Sequence, residues 1–189
     1  MDHPSGNART RFVPGAVLVL AAAPLLVLAS CVDGSDTADR AREAELVARS
    51  LAVAIETADS ALIRDLFWPQ ATYEDFPNQH SYLGVEEIVG YMTGAHRWAD
   101  DVLMNVGAVH PTAHDGVIFE WVFSGVQSRP LPGVLSQGTG HEVVLNGVTI
   151  VEMDGGRVVR AADYTDSGAL LLQLGARVEL PDGTSLQLR

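Results

Sequence analysis

Between Val148 and Gly175 the chain reads VTIVEMDGGRVVRAADYTDSGALLLQLG, and few folds accommodate that order of signals. Val148 to Met153 is rich in strand-forming residues. Asp154-Gly155-Gly156 is a hairpin signal because glycine accepts positive φ, and Arg157 to Tyr164 resumes an extended pattern. Asp166 or Ser167 can then cap a short helix whose apolar residues Leu170, Leu171, Leu172 and Leu174 stop at Gly175. The carboxylates Asp163 and Asp166 thus fall at the end of the second strand, where the chain leaves the sheet and a ligand can reach them.

Upstream of this stretch, Asp39 to Ala58 predicts a helix with Leu46, Val47, Ser50, Leu51, Ala54 and Ile55 on one stripe. Asp59 or Ser60 caps a second, shorter helix through Leu66, ended by Pro69. Ala71 to Phe76 reads as a short strand with Thr72, Glu74 and Phe76 on one face and Tyr73 and Asp75 on the other. Gly84 opens a third helix, VEEIVGYMTGAHRWA, with Val85, Ile88, Val89, Met92 and Ala95 or His96 inward; its two interior glycines argue against a straight rod. Three extended segments follow: Val102 to His110, Val117 to Val126 and Glu142 to Met153. Gln127 to Gly140, with Pro130, Pro132 and three glycines, is an irregular loop. Helices first and antiparallel strands afterwards predict an α+β fold, a curved sheet wrapped against N-terminal helices. After Ala176, residues 177–189 form either a frayed tail or one more hairpin.

The N-terminus belongs to export. Arg9 and Arg11 precede an apolar run from Phe12 to Ala29, which ends in Leu28-Ala29-Ser30-Cys31. The order Leu-Ala-Ser-Cys resembles the bacterial lipoprotein signal, in which the cysteine is diacylated through its sulfur and becomes the first mature residue. A plain membrane-spanning anchor of about 18 residues is the alternative that length alone permits. The expected division is a signal over 1–30, a lipidated polar tether over 31–38, the α+β domain over 39–176 and the tail. Cys31 is the one cysteine in the chain, so stability outside the cell must come from the core rather than from disulfides.

Of the 12 basic residues, Arg9 and Arg11 lie in the signal; of the 24 acidic ones, only Asp2 does, which leaves ten arginines against twenty-three acids. That balance excludes nucleic acid as a partner and electrostatic adhesion to anionic lipid. Membrane contact is expected through the Cys31 lipid alone, on the extracytoplasmic face.

Carboxylates and aromatics on facing strands are the chemical candidates. Asp75 and Asp163, if both project into one apolar pocket, have raised pKa values, because desolvation and mutual repulsion disfavour their charged forms. A carboxylate tuned upward can abstract a proton next to a carbonyl and return it elsewhere. Tyr73, Tyr91, Trp98, Phe119, Trp121 and Tyr164 are the residues expected to line that pocket. Two structural roles compete: Asp75 capping a turn before Pro77, and Asp163 pairing with Arg97, Arg129 or Arg160. Glu120 alternates with Phe119 and Trp121 and lies either in the pocket or on the solvated face. His110 and His114 stand four apart, but Pro111 and the turn residues between them argue against a metal pair, and no metal site is expected. No phosphate loop, serine–histidine triad or dinucleotide fingerprint is present.

The element order and several motifs resemble the SnoaL-like polyketide cyclase and ester cyclase branch of the nuclear-transport-factor-2-like superfamily, over roughly Glu43 to Ala176. The residues that carry the resemblance are DYTDSGALLLQLG, the turn DGGRV before it, and VFSGVQSRPLPGVLSQGTG. It implies a cone of helices and bent sheet around a central pocket. It places the cyclases' acid/base aspartate on Asp163 and their assisting histidine near Val148 or Thr149, neither of which ionises. The related ketosteroid isomerases' general base falls on Asp75, their oxyanion tyrosine on Leu51, and their second acid near Thr149.

Two functions follow as expectations. One is cofactor-free cyclisation or isomerisation of a small apolar carbonyl compound, with Asp163 as acid/base and Asp75 and Tyr164 as polar partners. The other is a surface-tethered module that holds a small hydrophobic ligand or a partner without chemistry. Self-association into a homodimer is left open.

Overall fold

The computed structural model of the chain describes residues 34–186. The export signal expected over 1–30 and the lipidation expected at Cys31 lie outside the described residues. Helix α1 (Gly34–Thr57) begins ahead of the expected Asp39, so Gly34 to Ala38, expected as tether, are helical. It lays Ala44, Val47, Ala48, Leu51, Ala52 and Ala54 into the core. The closest approach is made by alanines, and Leu46, expected on the buried stripe, stands 67 % exposed instead.

Asp59 caps α2 (Ser60–Leu66), its Oδ1 accepting from the backbone N–H groups of Ala61 and Leu62 at 3.0 Å each. The helix passes straight into β1 (Phe67–Asp75). Pro69, expected to end the helix, instead lies within β1, where the pairing register breaks between Phe67 and Thr72. A residue without a backbone N–H is tolerated there. β2 (His80–Leu83), which the sequence did not announce, folds back antiparallel on β1 and pairs Tyr82 with Tyr73 and His80 with Asp75. α3 (Val85–Met92) buries Ile88, Val89 and Met92, and a 3-10 turn over Gly94–Arg97 takes most of what was expected as the rest of the helix.

β3 (Ala99–Pro111), β4 (Gly116–Gln127), β5 (Glu142–Asp154) and β6 (Arg157–Thr165) complete a six-stranded curved sheet in the order β2-β1-β6-β5-β4-β3. Neighbours are antiparallel except β1 and β6, which run parallel. Gly155 and Gly156, at φ 56° and 78°, form the two-residue turn between β5 and β6. Two consecutive positive φ values match strand twist and favour glycine at both places. Along β4, Val117, Phe119, Trp121 and Phe123 are buried while Glu120 and Val122 face outward, so one side of the sheet packs with the helices around the core.

Asp166 caps α4 (Ser167–Gln173), accepting from the Ala169 N–H at 3.1 Å. Its end is a Schellman motif: the Gly175 N–H reaches the Leu172 carbonyl at 3.0 Å and the Ala176 N–H the Leu171 carbonyl at 2.9 Å, with Gly175 at φ 89°. Gln173 then does the work of a strand. Pairing of β6 with β5 extends only as far as Thr165 opposite Gly147, and beyond it the Gln173 amide accepts from the Val144 N–H at 2.7 Å and donates to its carbonyl at 2.8 Å. The tail takes the hairpin form, β7 (Val178–Glu179) against β8 (Ser185–Leu186). Among the described residues no helix is long and apolar enough to cross a membrane.

Candidate functional site

Strand register assembles the site. Across the sheet, Phe119 on β4 stands opposite Thr149 on β5, Thr149 opposite Asp163 on β6, Asp163 beside Asp75 on β1, and Asp75 opposite His80 on β2. The next inward-facing row holds Val117, Val151, Ala161, Tyr73 and Tyr82. Side chains two residues apart on a strand share a face, so Tyr73 and Asp163 meet inside the core. Tyr73, Thr149 and Asp163 are all buried.

Asp163 accepts three hydrogen bonds, all from hydroxyl groups. Thr149 Oγ1 donates to Oδ1 at 2.5 Å; Tyr73 and Tyr91 hydroxyls donate to Oδ2 at 2.8 and 3.2 Å. Trp121 Nε1 in turn donates to Thr149 Oγ1 at 2.8 Å. Burial acts most strongly on the Asp163 carboxyl and pushes it up to about 6; the three hydroxyls pull it back, and the charge of Asp75 pushes it further up. The hydroxyls of Tyr73 and Tyr91 are also raised, by burial first and by the Asp163 charge second, which keeps both as proton-bearing donors. Two of the three arginines considered for Asp163 bind elsewhere: Arg129 pairs with Asp100 at 2.6 Å, and Arg160 with Glu74 and Glu152.

Asp75 is equally buried but bonded differently. Its Oδ1 accepts from the Asn78 N–H at 3.3 Å and its Oδ2 from the Asn78 side-chain amide at 2.7 Å, closing the turn into β2. The turn-capping role is therefore the one its contacts support.

Tyr91 links the carboxylate to an aromatic stack. Its ring lies 4.9 Å from Tyr73 and 4.4 Å from Tyr82, which is stacked on it, and His80 meets Tyr82 edge-on at 4.5 Å. Phe119 and Trp121 face the same interior. Trp98 is only half-buried and packs 6.1 Å from Phe123. Tyr164 is a correction: it stands 46 % exposed on the outer face, stacked 4.6 Å from Phe76, because it directly follows Asp163 and strand alternation turns it away. Glu120 also faces solvent. Thr149, Tyr82 and His80 are the members that sequence reading missed. The first does not ionise, and the other two sit on a strand that went unread.

One cleft of about 160 Å³ lies between α1 and the hairpin tips, lined by Arg40, Glu43, Pro111, Asp115 and Met153 among others. Another, of about 270 Å³, is bordered by Trp68, Gln70, Ala71, Asp154 and Val159. Asp163 and the tyrosines line neither. The candidate site is marked by a buried, hydroxyl-bonded carboxylate. No cluster of three or more metal-binding side chains occurs among the described residues.

A family model described as a SnoaL-like domain matches residues 47–161. The chain is similar to the solved structure of TsrD from Streptomyces laurentii, with TM-score 0.62 and 18 % identity over 71 % of this chain and 96 % of that one. It is likewise similar to a protein from a Jannaschia species described as a SnoaL-like polyketide cyclase, with TM-score 0.63 and 20 % identity over 71 % and 93 %. A third similar structure, from Catenulispora acidiphila, has a ketosteroid isomerase-like fold and was solved in complex with trimethylamine; it gives TM-score 0.56 and 22 % identity over 68 % and 92 %. Likeness at these identities is likeness of fold. No curated protein sequence matches the chain.

Proposed function

The chain belongs to the SnoaL-like domain family, and on that premise we propose that it binds a small apolar carbonyl compound against Asp163 and exchanges a proton with it. One observation carries this reading: a core carboxyl pushed up to about 6, with two tyrosine hydroxyls at 2.8 and 3.2 Å. Ionised Asp163 takes the proton from the carbon next to the carbonyl, and the released electron pair moves onto the carbonyl oxygen. That oxygen accepts a hydrogen bond from Tyr91, whose single hydroxyl hydrogen turns to it from Asp163 Oδ2 as the compound binds; Tyr91 is half-buried and nearer the surface than Tyr73. Asp163 then returns the proton to a different carbon, which completes an isomerisation, or the carbanion attacks a second carbonyl of the same compound, closes a ring, and the alkoxide so formed takes the proton back from Asp163. Entry is past Tyr82 and Tyr91, which have to part for the compound to reach the carboxylate. The domain is held at the cell envelope by acyl chains on Cys31; in Cys31→Ala, membrane partitioning in detergent phase separation and signal cleavage should both be lost.

The test is exchange of α-protons for deuterium in a panel of small cyclic ketones and enones incubated with the protein in D2O, followed by proton NMR. Exchange should accelerate with a pH midpoint near 6 in the native chain and vanish in Asp163→Asn. A second reading, ligand binding without chemistry, is favoured by Thr149, a residue that does not ionise, at the partner position of Asp163. Under it, the same compounds would change tyrosine and tryptophan fluorescence yet exchange no faster than in buffer.

A further inference from the structure

Two residues outside the proton transfer are tied to the carboxylate that performs it. The Trp121 indole nitrogen can only donate, and it donates to Thr149 Oγ1. With that oxygen engaged as an acceptor, the single hydroxyl hydrogen of Thr149 points to Asp163 Oδ1. Thr149 is 1 % exposed, so bulk water does not compete for either bond. The indole reaches Thr149 because the cross-strand partner of Trp121 is Gly147: a Cβ there would stand 2.2 Å from Trp121 Cζ2, well inside contact distance.

An ionised carboxylate offers about four acceptor positions. Before the compound enters, Tyr73 and Tyr91 occupy both on Oδ2, and Thr149 occupies one on Oδ1. We propose that Gly147, Trp121 and Thr149 form a positioning chain that feeds one directed hydrogen bond into Asp163 Oδ1 and leaves the remaining lone pair of that oxygen to take the proton of the bound compound. Thr149 thereby stands in for an ionisable partner: it supports the carboxylate without competing for the proton, because a threonine hydroxyl neither gains nor loses one at ordinary pH. The titratable groups that face Asp163 are Tyr73 and Asp75 on β1 and Tyr91 on α3; β4 and β5 contribute only the neutral Trp121 and Thr149. The catalytic meaning of the chain rests on the acid/base reading of Asp163, but its test does not.

Carbon-13 NMR titration of the Asp163 side-chain carboxyl in the full chain and in Thr149→Val, Thr149→Ser and Trp121→Phe supplies that test. Loss of the hydroxyl in Thr149→Val should raise the midpoint by about one pH unit. Thr149→Ser should restore it, since the serine hydroxyl can make the same bond. Trp121→Phe should raise it by less, because the hydroxyl stays but is no longer held. An unmoved or lowered midpoint in Thr149→Val, or a serine variant that behaves like the valine one, overturns the proposal. Should Thr149→Val fail to fold, an unchanged midpoint in Trp121→Phe overturns it instead, and a raised one sustains it. Midpoints that move as expected in a protein that exchanges no α-protons would retain the chain and remove the acid/base reading; exchange with unmoved midpoints would do the reverse.

Discussion

The ends of β1 and β6 lie side by side in register, and each buries an aspartate to within 5 or 6 % of full exclusion from solvent. What separates Asp75 from Asp163 is where their donors come from. Asp75 is bonded by the backbone and side chain of Asn78, three residues along, so it belongs to a local turn. The donors to Asp163 come from β1, α3 and β5, at sequence separations of 90, 72 and 14 residues, so it belongs to the tertiary core. Burial alone does not mark a carboxylate as chemically poised; burial with donors that the whole fold must bring together is a stronger sign.

The largest expected effect that breaks this parity is on the pH dependence of stability. The Asp163 carboxyl is raised from 3.8 to about 6 by folding, so between those values the folded state holds a proton that the unfolded state has released. The stability this contributes is fully present below 3.8, falls as pH rises and is gone above about 6. Asp163→Asn does not titrate. Urea unfolding at pH 4 and pH 8 should therefore show the stability difference between native chain and variant moving by about 2–3 kcal/mol in favour of the variant at the higher pH; a constant difference would contradict the assignment.

A smaller effect of opposite sense is expected at the other strand end. Asp75→Ala removes both acceptors of Asn78 and should cost about 1–2 kcal/mol at pH 7 by thermal or urea unfolding. Asn78→Ala should cost a similar amount, and the double variant little more than either single change, because both act on one local contact. The smallest effect belongs to Tyr164, one residue from Asp163 but on the other face. Tyr164→Ser should lower stability by less than about 1 kcal/mol and leave the Asp163 titration where it was.

The same contrast between local and distant causes explains what could be read from the sequence. Gly155-Gly156 announced its turn because two positive φ values have few other solutions, and Asp59 and Asp166 cap their helices within their own segments. Leu46 was misplaced because the buried stripe of α1 is built largely from alanines, whose weak apolar signal hides how closely the helix lies on β3. β2 was missed because His80-Ser81-Tyr82-Leu83 has no β-branched residue, and its pairing is supplied by β1 rather than by its own composition. Tyr164 follows Asp163 directly, so an inward Asp163 already turns Tyr164 outward. The resemblance puts a partner of Asp163 near Val148 or Thr149, and strand register selects Thr149 by setting it opposite Asp163.

Titration of the Asp163 carboxyl in the native chain, by carbon-13 NMR at low ionic strength, addresses the central claim most directly. A carboxyl raised by burial and only partly relieved by the hydroxyls of Thr149, Tyr73 and Tyr91 should titrate with a midpoint near 6. A midpoint at or below 3.8 would mean that hydrogen bonding outweighs burial, and Asp163 would then be a structural carboxylate like Asp75 rather than one held ready to exchange a proton.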